Sequence, residues 1–289
     1  MTLASCDSRK TAGENPFFTE WDTPHGVPPF DKILPEHFMP AFERGMSLHE
    51  AEIDAITSNK DEATFENTIL AYDNAGQMLA QTELVFGMLC AAETNDRMQA
   101  LQEQAMPLLA AHRDKIRLDD KLFVRVKEVY DRRAALGLDA EQMRLLQKTY
   151  DSFVRAGALL DAEQKARLKE INGQLSLTAV KFGNNILAEN NNFVLELKSD
   201  ELDGLPAGIR DAAREKAQQM GKGDKWVFTL HKPSLIPLLT YSTRRDLREK
   251  IYKAYLNRCN NGDEYDNKQL INDFIRLRTE KAHLLGYPS

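Results

Sequence analysis

The chain is poor in cysteine: Cys6, Cys90 and Cys259 are its three, spread over 289 residues, and no two stand in a C-x-x-C spacing. That excludes a disulfide framework and a thiolate zinc site, and the thiols are expected to be free. Basic stripes are lacking too. Arg132-Arg133 and Arg244-Arg245 are arginine pairs that lie beside acids, and the net charge is -6, so neither nucleic acid nor a polybasic membrane face is expected. No apolar run approaches the roughly 18 residues of a membrane span. A glycine-rich phosphate loop, a G-x-S-x-G elbow and a cysteine beside a histidine are missing, which removes the commonest local signatures of nucleotide binding and nucleophilic catalysis. No repeat of fixed length occurs, so a regular solenoid is not expected. What remains, 42% hydrophobic and 28% charged residues, is the composition of a soluble globular chain with a sizeable core.

Hydrophobic periodicity predicts a mainly α fold. Phe38, Phe42, Met46, His49, Ile53 and Ile56 form a stripe near the 3.6 period, as do Phe65, Ile69, Tyr72, Leu79 and Phe86, and later Leu168, Ile171, Leu175, Phe182 and Ile186. Asp139 with Gln142 and Asp161 with Gln164 read as capping boxes opening two successive helices. Short turns between such helices predict antiparallel neighbours in a multi-helix lobe. The pattern changes after Asn184: Asn190-Asn191-Asn192 reads as a turn, and a strand pair is expected near Phe193–Leu197 and Trp226–Leu230, with a short helix over Ile209–Met220 between them. Helices return with Leu247, Ile251 and Tyr255, and with Leu270, Phe274 and Leu277, and Gly286 is placed as a helix stop. Three regions are expected: a disordered tail over 1–14, a helical lobe over 15–188, and a strand pair with helices over 189–289.

Local motifs give no catalytic, cofactor-binding or metal-binding residue. His49-Glu50-Ala51-Glu52-Ile53 begins like the H-E-x-x-H of a zincin, in which histidines at i and i+4 share one helical face. Ile53 stands where the second histidine belongs, and His49 falls on the apolar stripe, so a packed, hydrogen-bonded histidine is expected. His25, His37, His112, His231 and His283 lie too far apart in sequence for local pairing, and pairing through the fold stays open. Glu66 and Asp73 read as solvated helix carboxylates. Asn260-Asn261-Gly262-Asp263 has oxygen ligands that a calcium ion could use, but lacks EF-hand spacing, and turn chemistry is the expectation. Tyr241, Tyr252, Tyr255 and Tyr265 are expected as core and rim aromatics. The strand pair offers a hypothesis of its own, an edge on which an extended peptide could add as a strand; a purely structural hairpin is the alternative. Leu3-Ala4-Ser5-Cys6 is similar to a bacterial lipobox, with only Met1 and Thr2 before it; Cys6 is thus a candidate lipid anchor in a longer precursor.

Several stretches carry a family resemblance. "VPPFDKILPEHFMPAFERGMSLHEAEIDAI" (Val27 to Ile56), "ATFENTILAYDNAG" (Ala63 to Gly76), "KWVFTLHKPSLIPLLTYSTRRDLREKIYKAYLNR" (Lys225 to Arg258) and the closing "LRTEKAHLLGYPS" resemble the N-terminal half of bacterial peptidyl-dipeptidases. These sit in the zinc metallopeptidase family that includes oligopeptidase A and thimet oligopeptidase. The resemblance runs from about Asn15 to the last residue. It implies a helical, channel-type fold and short peptide substrates cut to release C-terminal dipeptides. It also implies zinc held by H-E-x-x-H and a later glutamate, in a bacterial protein of the periplasm or cytoplasm. None of those ligands occurs in this chain. The resemblance therefore implies a part that stops before the zinc motif, binds no zinc itself and is inactive alone. A non-catalytic helical peptide-binding or scaffold module is the alternative.

Overall fold

The computed structural model describes residues 15–289. The tail expected over 1–14 and the lipobox-like Leu3 to Cys6 lie outside the described residues. The described chain is mainly α, with a single two-stranded antiparallel sheet. It divides into two compact units, one over 15–177 with 279–289 and one over 178–278.

The first unit holds α1 (Phe38–Ser58), a π-helical turn over Phe65–Leu70 that runs into α2 (Ala71–Asn74), α3 (Gln77–Ala92), α4 (Asp96–Arg117), α5 (Asp120–Asp131), α6 (Ala140–Ala156) and the first half of α7 (Ala162–Asn192). Its helix starts are local chemistry. Asp139 accepts from the Gln142 amide at 2.9 Å while Gln142 Oε1 accepts from the Asp139 amide at 3.1 Å, and Asp161 and Gln164 repeat the exchange at the head of α7. One core gathers Phe17, Phe38, Phe42 and Phe86, with Phe38 and Phe42 edge-on to Phe86 at centroid distances of 4.9 and 5.3 Å. Gly45 makes this crossing close, because a Cβ there would stand 3.0 Å from the Leu79 Cα on α3. A second core joins Ile69, Leu122, Val126, Leu146 and Phe153 from the π-helical turn, α5 and α6.

The run from Phe65 to Phe86 is not one helix. Thr64 and Asn67 form a reciprocal cap, with bonds of 2.8 and 3.1 Å, and Gly76, in the left-handed region at φ 76°, ends the run before α3 begins. The same apolar period continues across the break, which is why the sequence reads as a single stripe. Arg125 fixes the loop ahead of the cap: it is buried and donates to the Asn59 and Asp61 carbonyls and to Asn67 Oδ1.

The second unit holds the rest of α7, β1 (Leu195–Leu197), α8 (Ala207–Gln219), β2 (Trp226–Phe228), α9 (Lys232–Tyr241), α10 (Arg245–Leu256) and most of α11 (Lys268–Leu284). Its core packs Leu195, Leu197, Phe228, Leu238 and Ile251. The strands are shorter than expected, three residues each, in the register Leu195↔Phe228, Glu196↔Val227, Leu197↔Trp226. The turn expected at Asn190-Asn191-Asn192 is instead the last turn of α7. These side chains are taken up by tertiary partners: Asn190 Oδ1 accepts from Arg258 at 3.0 Å, and Asn191 Oδ1 meets His231 Nε2 at 3.1 Å. Gly286 closes α11 as expected, at φ 83°, with Tyr287 N–H donating to the Ala282 carbonyl and Gly286 N–H to that of His283. This is the paired bond of a Schellman stop.

Candidate functional site

Among the histidines the sequence singles out, the fold brings two together. His49 on α1 and His112 on α4 stand 63 residues apart, yet His49 Nδ1 and His112 Nε2 are 3.1 Å from each other, with ring centroids at 5.1 Å. His112 is buried, and its Nδ1 lies 3.4 Å from Glu50 Oε1, within ion-pair range but outside hydrogen-bond geometry. Glu50 Oε2 accepts from Lys115 Nζ at 2.8 Å. Glu52 Oε2 accepts from the Gly76 amide at 2.7 Å.

This arrangement fixes the tautomers by argument. A lone pair on His112 Nδ1 would face the Glu50 carboxylate, so the proton belongs there, and Nε2 accepts from His49 Nδ1–H. Burial lowers the pKa of both imidazoles; His112 lowers that of His49 further, while Glu52 and Glu50 oppose the shift. At His112 Glu50 opposes the burial effect. Both rings are neutral at pH 7 on this chemistry.

The cluster does not fit a catalytic zinc. Such a site needs three protein ligands and an open position. Here the two imidazole nitrogens are spent on each other, Glu50 on Lys115 and Glu52 on the Gly76 amide. Among the described residues no group of three or more histidine, cysteine or acidic side chains could hold a metal ion. The sequence reading that His49 is packed and hydrogen-bonded agrees with its place in the fold. What it missed is the partner, His112, for which no local spacing signal exists.

The remaining singled-out residues stand apart. His25 sits exposed in a turn at φ 60°, and His37 is buried with Nδ1 accepting from the Leu34 amide at 3.1 Å. His231 meets Asn191, and His283 Nε2 meets the Pro288 carbonyl at 3.1 Å. Glu66 and Asp73 are exposed. The segment around Asn260-Asn261-Gly262-Asp263 spends its oxygens on its own turns: Asp263 Oδ1 accepts from the Tyr265 amide, and Asp266 from the Gly262 and Lys268 amides. Those bonds, with Lys268 Nζ foremost, hold the Asp266 pKa down to about 2. Burial and the neighbouring Glu189 push the Cys259 thiol up to about 11, which leaves it protonated and unreactive at neutral pH. Tyr255 packs on the core of the second unit under Arg258, whose guanidinium lies 3.8 Å from the ring centroid; Tyr241 and Tyr252 are exposed. No described helix is long and apolar enough to cross a membrane.

The sequence profile of Peptidase family M3 matches residues 238–289, which take in α10 and α11. Similarity to curated proteins extends much further. The chain is 36% identical over 275 residues to "Dipeptidyl carboxypeptidase" of Escherichia coli, which covers 95% of this chain and 40% of that protein. It is 34% identical to "Dipeptidyl carboxypeptidase" of Salmonella typhimurium over 276 residues, 95% of this chain and 41% of that one. It is 26% identical to "Oligopeptidase A" of Escherichia coli over 270 residues, 92% and 40% respectively. The chain thus spans about two fifths of the length of the relatives it matches. With that likeness running through both units, the chain belongs to Peptidase family M3.

Proposed function

We propose that the chain is the N-terminal part of a bacterial zinc metallopeptidase that acts on short oligopeptides and releases C-terminal dipeptides. The observation that carries this reading is the 36% identity to a dipeptidyl carboxypeptidase over 95% of the chain, against 26% to oligopeptidase A. In this reading the metal, when bound, supplies an activated water, and its ligands belong to a stretch with no counterpart here. The part described supplies one wall of a channel that admits short, unfolded peptides, and it is inactive alone. The protein works in the bacterial periplasm or cytoplasm, with Cys6 a candidate lipid anchor in a longer precursor.

A second reading, a non-catalytic helical peptide-binding or scaffold module, draws on the same lack of a three-ligand cluster among the described residues. Direct assay tests the inactivity of this chain. After incubation with zinc and removal of free metal, the purified chain is expected to retain far less than one zinc per molecule and to release no dipeptide from a short peptide. One zinc per chain together with dipeptide release would overturn the proposal.

A further inference from the structure

We propose that Asn261 is a deamidation site, and that its conversion to aspartate or isoaspartate opens the loop between α10 and α11 and frees the thiol of Cys259. The sequence holds two Asn-Gly pairs, Asn172-Gly173 and Asn261-Gly262. This dipeptide favours the reaction because glycine has no Cβ to hinder attack by its own nitrogen. The Gly262 nitrogen gives its proton to hydroxide and bonds to Asn261 Cγ. The Cγ–Nδ2 bond breaks, and ammonia leaves with a proton taken from water. The cyclic imide then adds one water across either of its C–N bonds, yielding aspartate or isoaspartate with no oxidant or reductant.

The fold separates the two pairs. Asn172 Nδ2 donates to both carboxylate oxygens of Asp114, at 2.9 and 3.0 Å, and Asn172 Oδ1 accepts from Lys281 Nζ at 2.6 Å. Gly173 lies inside α7, where each N–H is tied to the carbonyl four residues back, so ring closure there would break the helix. Asn261 and Gly262 are instead exposed in a turn outside any helix. Gly262 stands at φ 71° with nothing within 4 Å of an added Cβ, so space is open on that side. Its N–H donates at 2.8 Å to Asp266 Oδ2, an exposed bond that water can replace.

Asn261 is also a structural donor. Its Nδ2 donates to Glu189 Oε1 of α7, and Glu189 Oε2 accepts from the Cys259 N–H. Glu189 thus clasps the loop at two points. Cys259 is buried and held at φ 55°, a left-handed conformation that L-residues avoid. Deamidation replaces the donor by a carboxylate facing Glu189, and like charges at that range repel. Isoaspartate also adds a methylene to the backbone of the turn. Once Glu189 lets go, nothing in the clasp holds Cys259 in its strained conformation. A cavity of about 200 Å³ lined by Phe182, Leu256, Cys259 and Ile271 already abuts this residue, so a small displacement of the loop exposes it. Burial and the Glu189 carboxylate hold the thiol pKa up at about 11, and opening relieves both.

The test is ageing of the whole chain in mildly alkaline buffer, followed by peptide-resolved mass spectrometry and maleimide labelling. Conversion is expected at 261 well before 172. Labelling of Cys259 is expected to rise about tenfold, the loss of roughly one hydrogen bond to a charged group, while that of Cys90, half-buried in the first unit, stays unchanged. Asn261→Asp is expected to label at the aged rate without ageing. Asn261→Gln, which keeps an amide but closes the imide poorly, is expected to show no rise on ageing. Conversion at 172 as fast as at 261, no conversion at 261, or Cys259 labelling that ageing and Asn261→Asp leave unchanged would each overturn the proposal. A parallel rise at Cys90 would mark general unfolding and overturn it as well.

Discussion

Gly204→Ala is expected to destabilise the second unit by about 2–5 kcal/mol, of which about 1–2 comes from forcing an L-residue into the left-handed region and about 1–3 from overpacking. Gly204 has φ 81°, and a Cβ there would stand 2.2 Å from the Tyr241 carbonyl oxygen and 2.9 Å from the Thr243 amide nitrogen. Both are backbone atoms, so no side-chain rotation relieves the contact. The approach is held by Thr243 N–H donating to the Asp203 carbonyl at 3.0 Å, which ties the chain before α8 to the end of α9. Gly208→Ala is the internal control: it lies on α8 with nothing within 4 Å of an added Cβ, and it is expected to stabilise by about 0.5–1 kcal/mol. Denaturant unfolding followed by Trp226 fluorescence, with Trp21→Phe to silence the other indole, reads the second unit directly. An unchanged midpoint for Gly204→Ala would show that the two segments do not meet as described.

The second large effect is a loss of stability in acid that depends on the histidine pair. His49 and His112 face Glu50, Glu52 and Lys115 from α1 and α4, and Glu83 from α3. Burial first, and at His49 the neighbouring imidazole second, hold both pKa values below the ordinary 6.5. The unfolded chain therefore binds protons more tightly than the folded one. Stability from the pair is fully present above pH about 6.5 and falls as pH drops through that value toward the folded pKa values, with each tenfold loss of proton affinity on folding costing about 1.4 kcal/mol. Two protonated rings at 3.1 Å also repel. Glu50, held low chiefly by Lys115, loses its own contribution only at lower pH. Replacing both histidines, as His49→Gln with His112→Gln, is expected to flatten the decline between pH 6.5 and the carboxylate range. The double variant also loses about 1 kcal/mol at pH 7 with the hydrogen bond. A decline that persists undiminished in the double variant would place its origin elsewhere.

Features of the fold that were legible in the sequence are the ones decided within a few residues. The Asp139 and Asp161 boxes and the Gly286 stop depend on neighbours three to five positions away, so their residues carry the signal. The strand pair was legible in place but not in length, because three paired residues make the ladder and the flanking alternation belongs to caps and loops. The π-helical turn at Phe65–Leu70 preserves the apolar period on either side and leaves only the Thr64 and Asn67 cap and Gly76 as clues. Asn190-Asn191-Asn192 misled because the turn preference of asparagine is outweighed here by tertiary bonds to Arg258 and His231. His112 was invisible as a partner of His49, and Arg125 as the anchor of the 59–64 loop, because each acts through contacts more than 55 residues distant.

The central proposal is that this chain is the N-terminal part of a zinc peptidase and is inactive alone. The most direct measurement is the native coding DNA, read past the Ser289 codon. An open frame that goes on to encode H-E-x-x-H and a later glutamate is the predicted result. A stop codon directly after Ser289 would contradict it, and the peptide-binding module without catalysis would take its place.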